Sequence, residues 1–128
     1  MGKLIWLLLF ITCLSSCSKD TDPSGALNGT YNGIYWRTGA IKDTAYVQIV
    51  FVGSAFSGVS TGSVRSICNG TYQVNYDSIN FTNLCNIPDE DLLLVGKYQM
   101  SSVGDSLYFT GFFSGIAYYK DQFNLKKQ

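Results

Sequence analysis

The chain of 128 residues contains no histidine, and glutamate occurs once, as Glu90. Without histidine it lacks the base of the Ser-His-Asp and Cys-His nucleophile pairs, and the commonest side-chain ligand for zinc, copper or haem. General acid-base catalysis would therefore depend on aspartates, and no two of these form a recognisable pair in the sequence. We predict that the protein is not an enzyme and carries no cofactor.

An excess of positive charge is also missing, because nine Lys and Arg residues balance nine Asp and Glu residues. No basic stripe is available to neutralise phosphates, which argues against nucleic acid as a partner. Three carboxylates gather in the stretch 86–91, at Asp89, Glu90 and Asp91. Calcium-binding loops alternate their ligands with spacers and carry a glycine for the turn. This stretch has neither feature, so a solvated acidic loop is favoured over a metal site.

A hydrophobic run long enough to cross a membrane is absent as well. After the single charge of Lys3, the apolar run covers residues 4–14, whereas a spanning helix needs about 20 apolar residues. A short apolar run behind a basic residue, followed at once by polar sequence, is typical of a secretory signal peptide. We predict a signal peptide over residues 1–16.

The sequence Leu14-Ser15-Ser16-Cys17 ends this run, and it resembles the lipobox of bacterial lipoproteins. The resemblance implies cleavage before Cys17, lipidation of Cys17 and stable anchoring by several acyl chains such as palmitate. Residues 17–26 then form the lipidated cysteine and a polar, flexible tether. The expected location is the bacterial cell envelope, at the outer membrane. Lys19 and Asp20 resemble the surface-export signal of Bacteroidota lipoproteins, and an ordinary solvated linker is the alternative.

Two cysteines remain for the mature domain, since Cys13 is lost with the signal peptide and Cys17 takes the lipid. In an exported protein such a pair predicts a disulfide bond, here between Cys68 and Cys85. The chain-entropy treatment of a closed loop of about 17 residues assigns it a stabilisation of roughly 3 kcal/mol.

From Leu27 onward the apolar residues recur with period two, and no stretch of helical length keeps the helical spacing. Residues 70–82 and 96–110 repeat one pattern of strand, tight turn and strand, which predicts two β-hairpins. We predict that residues 27–128 form one all-β domain, a single antiparallel meander closed as a small up-and-down barrel. Its eight strands are expected near 27–37, 44–52, 55–60, 65–75, 78–83, 92–101, 106–113 and 116–126.

The opening residues 27–31, the paired Gly-x-Tyr and Asp-Ser-Ile/Leu hairpins, the two cysteines and the closing residues 121–127 resemble the small lipocalin-like lipoproteins of Bacteroidota. The resemblance covers most of the mature chain and implies a lipocalin-like barrel and an envelope address. The Gly-x-Trp motif of lipocalins is absent, and its nearest counterparts are the stretches 33–36 and 29–31.

Aromatic residues supply the candidate ligand contacts, because a ring of tyrosines at a barrel mouth can stack on sugars or flat apolar ligands. The candidates are Trp36, Tyr35, Tyr76 and Tyr108. The alternative is that tyrosines fill the core beside glycines that make room for them, and it is favoured for Tyr31, Tyr35, Tyr72 and Tyr98.

Three Asp-Ser/Thr-apolar triplets begin at Asp43, Asp77 and Asp105, and they resemble the acceptor motif for O-glycosylation in Bacteroidota. Thr44, Ser78 and Ser106 are the corresponding hydroxyl residues. The same triplets also suit a hairpin turn followed by a restarting strand, so both interpretations stay open.

The predicted function is that of a membrane-anchored, non-enzymatic binding module for a small apolar or glycan ligand or for an envelope protein. The alternative is a structural or inhibitory envelope protein whose barrel is filled. At eight strands both are possible, because the interior is just wide enough to be filled by side chains or to hold one small ligand.

Overall fold

A computed structural model describes residues 27–115 and 117–128 of the chain. The signal peptide predicted over residues 1–16, the lipidation of Cys17 and the tether to residue 26 lie outside the described residues. Within them, no helix has the length and apolar character needed to cross a membrane. The strands are β1 Gly29–Gly39, β2 Asp43–Val52, β3 Ala55–Thr61, β4 Asn69–Asn75, β5 Ser78–Asn83, β6 Gly96–Val103, β7 Ser106–Phe113 and β8 Tyr119–Lys127, with one short 3-10 helix at Asp89–Asp91.

The eight strands form a closed barrel in which each strand pairs antiparallel with the next. β1 and β8 close the barrel, in a register that runs from Tyr31 opposite Lys127 to Gly39 opposite Tyr119. The prediction of an all-β, eight-stranded up-and-down barrel is therefore confirmed. The two hairpins predicted from the internal repeat are β4–β5 and β6–β7.

Period-two alternation fixes which side chains enter the barrel, since successive side chains of a strand point to opposite faces. In β2, Ala45, Val47, Ile49 and Phe51 are all buried, whereas Tyr46 between them is exposed. In β1 the same inward face continues from Tyr31 through Tyr35 to Arg37. The apolar face predicted from the sequence is the interior of the barrel.

Aromatic rings fill most of this interior. The Phe81 ring lies 5.0 Å from Phe56, 5.8 Å from Tyr98 and 5.6 Å from Phe109, between ring centroids, in edge-to-face arrangements. Such geometry is favoured by the ring quadrupoles. The four tyrosines for which core filling is the favoured interpretation are all buried: Tyr31, Tyr35, Tyr72 and Tyr98. The barrel therefore has a packed core through most of its length.

Glycine makes two close approaches possible in this barrel. A Cβ atom added at Gly111 would lie 2.8 Å from the Tyr98 ring, so the missing side chain makes room for that tyrosine. A Cβ atom added at Gly33 would lie 1.9 Å from the carbonyl oxygen of Asn124, across the seam between β1 and β8. The seam can therefore close at this point only on a residue without a side chain.

The two ends of the barrel differ. One end carries the tight turns β2–β3, β4–β5 and β6–β7, and we call it the tight-turn end. The other carries the longer connections 40–42, 62–68, 84–95 and 114–118, and we call it the long-loop end. The chain joins β1 at the tight-turn end, where the Leu27 N–H donates to the Tyr72 hydroxyl at 2.8 Å and the Gly53 N–H donates to the Asn28 side chain at 3.2 Å.

The largest differences from the predicted bounds are the starts of two strands, β4 at Asn69 instead of residue 65 and β6 at Gly96 instead of residue 92. The residues before them bond to each other: the Ser66 N–H donates to the Asp91 carbonyl at 3.0 Å, and the Leu93 N–H donates to the Ser66 carbonyl at 2.8 Å. Leu92, Leu93 and Leu94 are all buried and so break the alternation of a strand. They close part of the long-loop end.

Cys68 and Cys85 form a disulfide bond with a Cα–Cα distance of 6.4 Å, which confirms the predicted pairing. The bond joins the connection 62–68 to the connection 84–95. We expect the double variant Cys68→Ser/Cys85→Ser to lose about 3 kcal/mol of unfolding free energy, because an unfolded chain without the loop of 17 residues gains entropy. Urea unfolding with and without reductant measures this, and reductant should have no effect on the variant. Equal stability of variant and wild type would contradict the prediction.

Candidate functional site

A cup of about 730 Å³ opens at the long-loop end, above the aromatic core. Its base is formed by strand residues that point into the barrel, and its wall by the connection 84–95 and the β7–β8 hairpin. The lining includes Arg37, Ile41, Arg65, Asp89, Glu90, Leu92, Val95, Tyr98, Phe112, Phe113, Tyr119 and Asp121. A volume of this size lies within the range of about 300–1,000 Å³ that is typical of small-molecule sites.

The base of the cup is a buried ion pair between Arg37 of β1 and Asp121 of β8. Arg37 Nε donates to Asp121 Oδ1 at 2.6 Å, and Arg37 Nη2 donates to Asp121 Oδ2 at 2.8 Å. The Tyr35 hydroxyl donates to the same Oδ1 atom at 3.1 Å. Arg37 and Asp121 face each other in the register of β1 and β8, so the strand pairing itself brings the two charges together. The pair is bidentate, the strongest geometry for these two groups.

The guanidinium of Arg37 keeps unused donors toward the cup. Arginine has five N–H groups, and Asp121 takes one from Nε and one from Nη2. The Nη1 group has no hydrogen-bond partner among residues 27–115 and 117–128, and it is not one of the fully enclosed atoms. Arg37 also lies over the Tyr119 ring, 3.8 Å from its centroid. Tyr119 in turn stacks on Phe113 at 5.1 Å.

Burial and the ion pair together shift the pKa values of the groups at the base of the cup. Burial raises the pKa of Tyr35, and the negative charge of Asp121 raises it further. Burial lowers the pKa of Arg37, but the hydrogen bond and charge of Asp121 outweigh this, so its pKa lies above the ordinary value. Burial also raises the pKa of Tyr98. At neutral pH these shifts keep Arg37 protonated and the hydroxyl groups of Tyr35 and Tyr98 neutral.

These raised tyrosine pKa values predict a loss of stability at alkaline pH. A Tyr98 whose pKa is higher in the folded than in the unfolded chain stabilises the fold fully below pH 10, the ordinary tyrosine value. This contribution is lost as pH rises above that value, because only the unfolded chain releases the proton easily. Urea unfolding between about pH 8 and pH 11 measures the loss. Tyr98→Phe should show a smaller loss over the same range, and an equal loss would contradict the assignment to Tyr98.

Polar contacts hold the wall of the cup. Arg65 Nη1 donates to Asp43 Oδ2 at 3.1 Å, and Arg65 Nε donates to the Glu90 carbonyl at 3.0 Å. Together with the disulfide they fix the connection 84–95 against β2 and the connection 62–68. Asp89 and Glu90 are exposed at the rim, and neither has an ion-pair partner within the described residues. The connection 84–95 therefore places negative charge at the edge of the cup, whereas the two charges of the ion pair at its base cancel.

A second, smaller groove of about 360 Å³ lies beside the cup. The two cavities share Phe112, Phe113, Ser114 and Tyr119. We call the four aromatic residues of this hairpin, Phe112, Phe113, Tyr118 and Tyr119, the aromatic rim. Phe112 and Tyr118 are 68% and 77% exposed, so the rim offers ring surface to solvent. The β7–β8 hairpin thus presents apolar rings next to the polar base of the cup.

The aromatic residues predicted as ligand contacts do not meet at one place. Tyr35 is fully buried in the core. Trp36 and Tyr108 lie on the outer face of the barrel, on β1 and β7, with β8 between them. Tyr76 is 97% exposed in the β4–β5 turn at the tight-turn end. None of the four lines the cup.

The other sequence candidates are also spread over the surface. Thr44 is exposed near the start of β2, while Ser78 and Ser106 are half-buried at the starts of β5 and β7. Ser78 Oγ donates to the Asn75 carbonyl at 3.0 Å, which is the turn-stabilising role open to such a residue. The acidic stretch at Asp89–Asp91 forms the 3-10 helix. Over the described part of the chain, no group of three or more His, Cys, Asp or Glu side chains is placed to hold a metal ion.

The exposed outer face carries a further groove of about 540 Å³ across β1, β2 and β3. Its apolar walls include Ile34, Tyr46 and Val59, each of them exposed. It has no charged side chain, in contrast to the cup. A substitution in this groove can therefore serve as a control for substitutions in the cup.

Comparison with known proteins adds no relative to this description. No family model, curated protein or solved structure matches the chain. Arg37 and Asp121, the pair at the base of the cup, are not among the residues singled out by the sequence analysis.

Proposed function

We propose that this protein is a lipid-anchored, non-enzymatic binding module of the bacterial cell envelope that holds a small ligand in the cup at the long-loop end. The observation that carries the proposal is the base of the cup, where a buried guanidinium with unused N–H donors faces a cavity of ligand size. Arg37 Nη1 is reached by solvent, so in the free protein it can donate to water. A bound ligand with an acceptor in that place would replace the water and keep the hydrogen bond.

The position of the cup fits a membrane-attached molecule. Leu27 and Asn28 lead into β1 at the tight-turn end, so a lipid on Cys17 would attach by way of the end opposite to the cup. The ten residues 17–26 can extend to at most about 35 Å. In this arrangement the cup faces away from the lipid surface and stays accessible to ligands or envelope partners. The resemblance to the lipobox supports the lipid anchor in this proposal, and the resemblance to lipocalin-like lipoproteins supports the location in the cell envelope.

The packed core supports a second candidate, a structural or inhibitory envelope protein that holds no ligand. Phe81 and its neighbours occupy the space in which a barrel of this size could hold an apolar molecule. In that case the aromatic rim would be a contact surface for a partner protein. The two candidates differ in whether a small molecule alone occupies the cup.

Membrane attachment is tested by replacing the lipidated residue. The full-length chain is produced in a bacterium with an outer membrane. We expect the wild type in the membrane fraction with the mass of an acylated protein. We expect Cys17→Ser to carry no acyl chains and to be either in the soluble fraction or still joined to its signal peptide. The physical reason is that acyl chains, and no segment of the barrel, supply the anchoring energy. Cys13→Ser is the matched control and should fractionate like wild type. An unmodified mass for the mature wild-type protein would contradict the anchor.

Ligand binding is tested on detergent-solubilised full-length protein. Its NMR resonances are followed against a panel of neutral oligosaccharides, acidic sugars and medium-chain fatty acids. We expect one class to shift the resonances of Phe113 and Tyr119 while those of Ile49 and Phe81 stay in place. Shifts confined to the core would place the ligand elsewhere. No shift with any class would favour the structural candidate.

A further inference from the structure

We propose that the ligand of the cup is a neutral glycan segment, bound with its hydroxyl groups on Arg37 and with a sugar face on the aromatic rim. This inference rests on the proposed binding function and adds the chemical class of the ligand. It follows from three properties of the cup: the charge of its base, the unused donors of Arg37 and the exposed rings next to them.

The charge of the site argues against an anionic ligand. Asp121 neutralises Arg37 through two hydrogen bonds, and Asp43 neutralises Arg65. The remaining charges in the lining of the cup are the carboxylates of Asp89 and Glu90, which have no ion-pair partner among the described residues. Inside the cup a phosphate, sulfate or carboxylate would therefore meet no unpaired positive charge and would be repelled by Asp89 and Glu90. Lys120 lines the adjoining groove, with its Nζ atom 5.4 Å from the centroid of the Phe112 ring. The cup itself suits a ligand segment without net negative charge.

The unused donors argue against a purely apolar ligand. An acyl chain or other hydrocarbon in the cup would remove water from Arg37 Nη1 and supply no acceptor in return. Leaving a buried polar group unpaired costs about 1–3 kcal/mol, and more when the group is charged. A hydroxyl oxygen accepts such a bond without bringing charge. Sugar hydroxyls also donate, and Tyr119, which lines the cup, carries a hydroxyl oxygen that can accept such a bond.

The aromatic rim supplies the complementary surface. A pyranose ring has faces of C–H groups, which pack on aromatic rings, and hydroxyl groups around its edge. Phe112 and Tyr118 leave ring surface exposed, and Phe113 and Tyr119 connect the cup to the groove of about 360 Å³. A chain of sugars can therefore continue from the cup over the hairpin into the groove. The arrangement fits an oligosaccharide better than a single compact molecule.

The test uses the detergent-solubilised full-length protein and calorimetric titration with short neutral oligosaccharides of glucose, mannose and N-acetylglucosamine. Their uronic acid or sulfated counterparts and a medium-chain fatty acid are the competing probes. We expect at least one neutral oligosaccharide to bind at least about tenfold more tightly than its acidic counterpart, a difference of about 1.4 kcal/mol. Tighter binding of an acidic sugar or of the fatty acid in the cup would overturn this inference and leave the binding function standing.

Two variants assign the binding to the cup. Tyr118→Ala should weaken it about threefold to tenfold, the usual range for one aromatic contact. Tyr46→Ala, with a similarly exposed tyrosine in the outer-face groove, should leave it unchanged. The triple variant Tyr35→Phe/Arg37→Met/Asp121→Leu removes the donors together with the buried charges and should weaken binding at least about tenfold. Binding lost in Tyr46→Ala and kept in the other two would overturn the assignment.

The outcomes also separate this inference from the proposed function. Failure of the neutral sugars, with another probe still shifting Phe113 and Tyr119, overturns only the ligand class. Failure of every probe to shift these residues overturns the ligand class and the binding function together. Circular dichroism of each variant is recorded first, so that loss of binding is compared only among folded proteins.

Discussion

Replacing Arg37 by methionine is expected to lower the free energy of unfolding by about 3–5 kcal/mol at neutral pH, since it leaves a buried carboxylate without its partner. Asp121 is 2% exposed and receives two of its three hydrogen bonds from Arg37. Only the Tyr35 hydroxyl would remain. Urea unfolding followed by circular dichroism measures the change, and Lys97→Met on exposed β6 surface should cost less than about 0.5 kcal/mol.

The triple variant Tyr35→Phe/Arg37→Met/Asp121→Leu separates two roles of the ion pair. Replacing a buried pair by packed apolar groups is often neutral or stabilising, because the desolvation cost of both charges disappears. We therefore expect the triple variant to be within about 1 kcal/mol of wild type or more stable. This result would indicate that the fold does not need the Arg37–Asp121 pair for its stability. It would agree with a role of the pair in ligand binding. A triple variant as unstable as Arg37→Met would contradict that conclusion.

Phe109→Ala is expected to destabilise the protein by about 3–5 kcal/mol, the usual cost of removing a buried phenylalanine and leaving a cavity. Phe109 is 1% exposed and contacts the rings of Phe81, Tyr98 and Phe123. Its matched control lies three residues further along β7. Phe112→Ala removes the same side chain from a position that is 68% exposed and should cost less than about 0.5 kcal/mol.

The comparison of these two phenylalanines tests whether the barrel is packed. If the interior were a ligand cavity with loosely held side chains, Phe109→Ala would cost little more than Phe112→Ala. Comparable effects of the two changes, measured by urea unfolding, would therefore contradict the filled core. A large difference would support a site confined to the cup.

The fold could be predicted from the sequence because one physical rule acts along most strands. Alternation decides which side chains are buried, and in β2 it places Val47 and Ile49 inside and Tyr46 outside. The rule fails where consecutive residues are all buried. Leu92, Leu93 and Leu94 look like the start of a strand, but they close the barrel end, with Leu94 at φ 60°. Their role depends on Ser66 and Cys68, which are distant in sequence.

The site was harder to predict, since it depends on residues that break the pattern. Arg37 continues the inward face of β1 after Tyr35, and Asp121 lies on the inward face of β8 two residues before Phe123. Opposite charges on the apolar faces of the first and last strands are the clue that the sequence contained. It becomes decisive only when the barrel closes and pairs β1 with β8. Aromatic content alone led instead to Trp36, Tyr76 and Tyr108, none of which lines the cup.

The most direct measurement is a crystal structure of the protein grown with a neutral oligosaccharide. The account predicts a sugar in the cup, with a hydroxyl oxygen within hydrogen-bond distance of Arg37 Nη1, a sugar face on the aromatic rim and the rings around Phe81 unmoved. A ligand inside the barrel with those rings displaced, or a sugar held only in the outer-face groove at Tyr46, would contradict it.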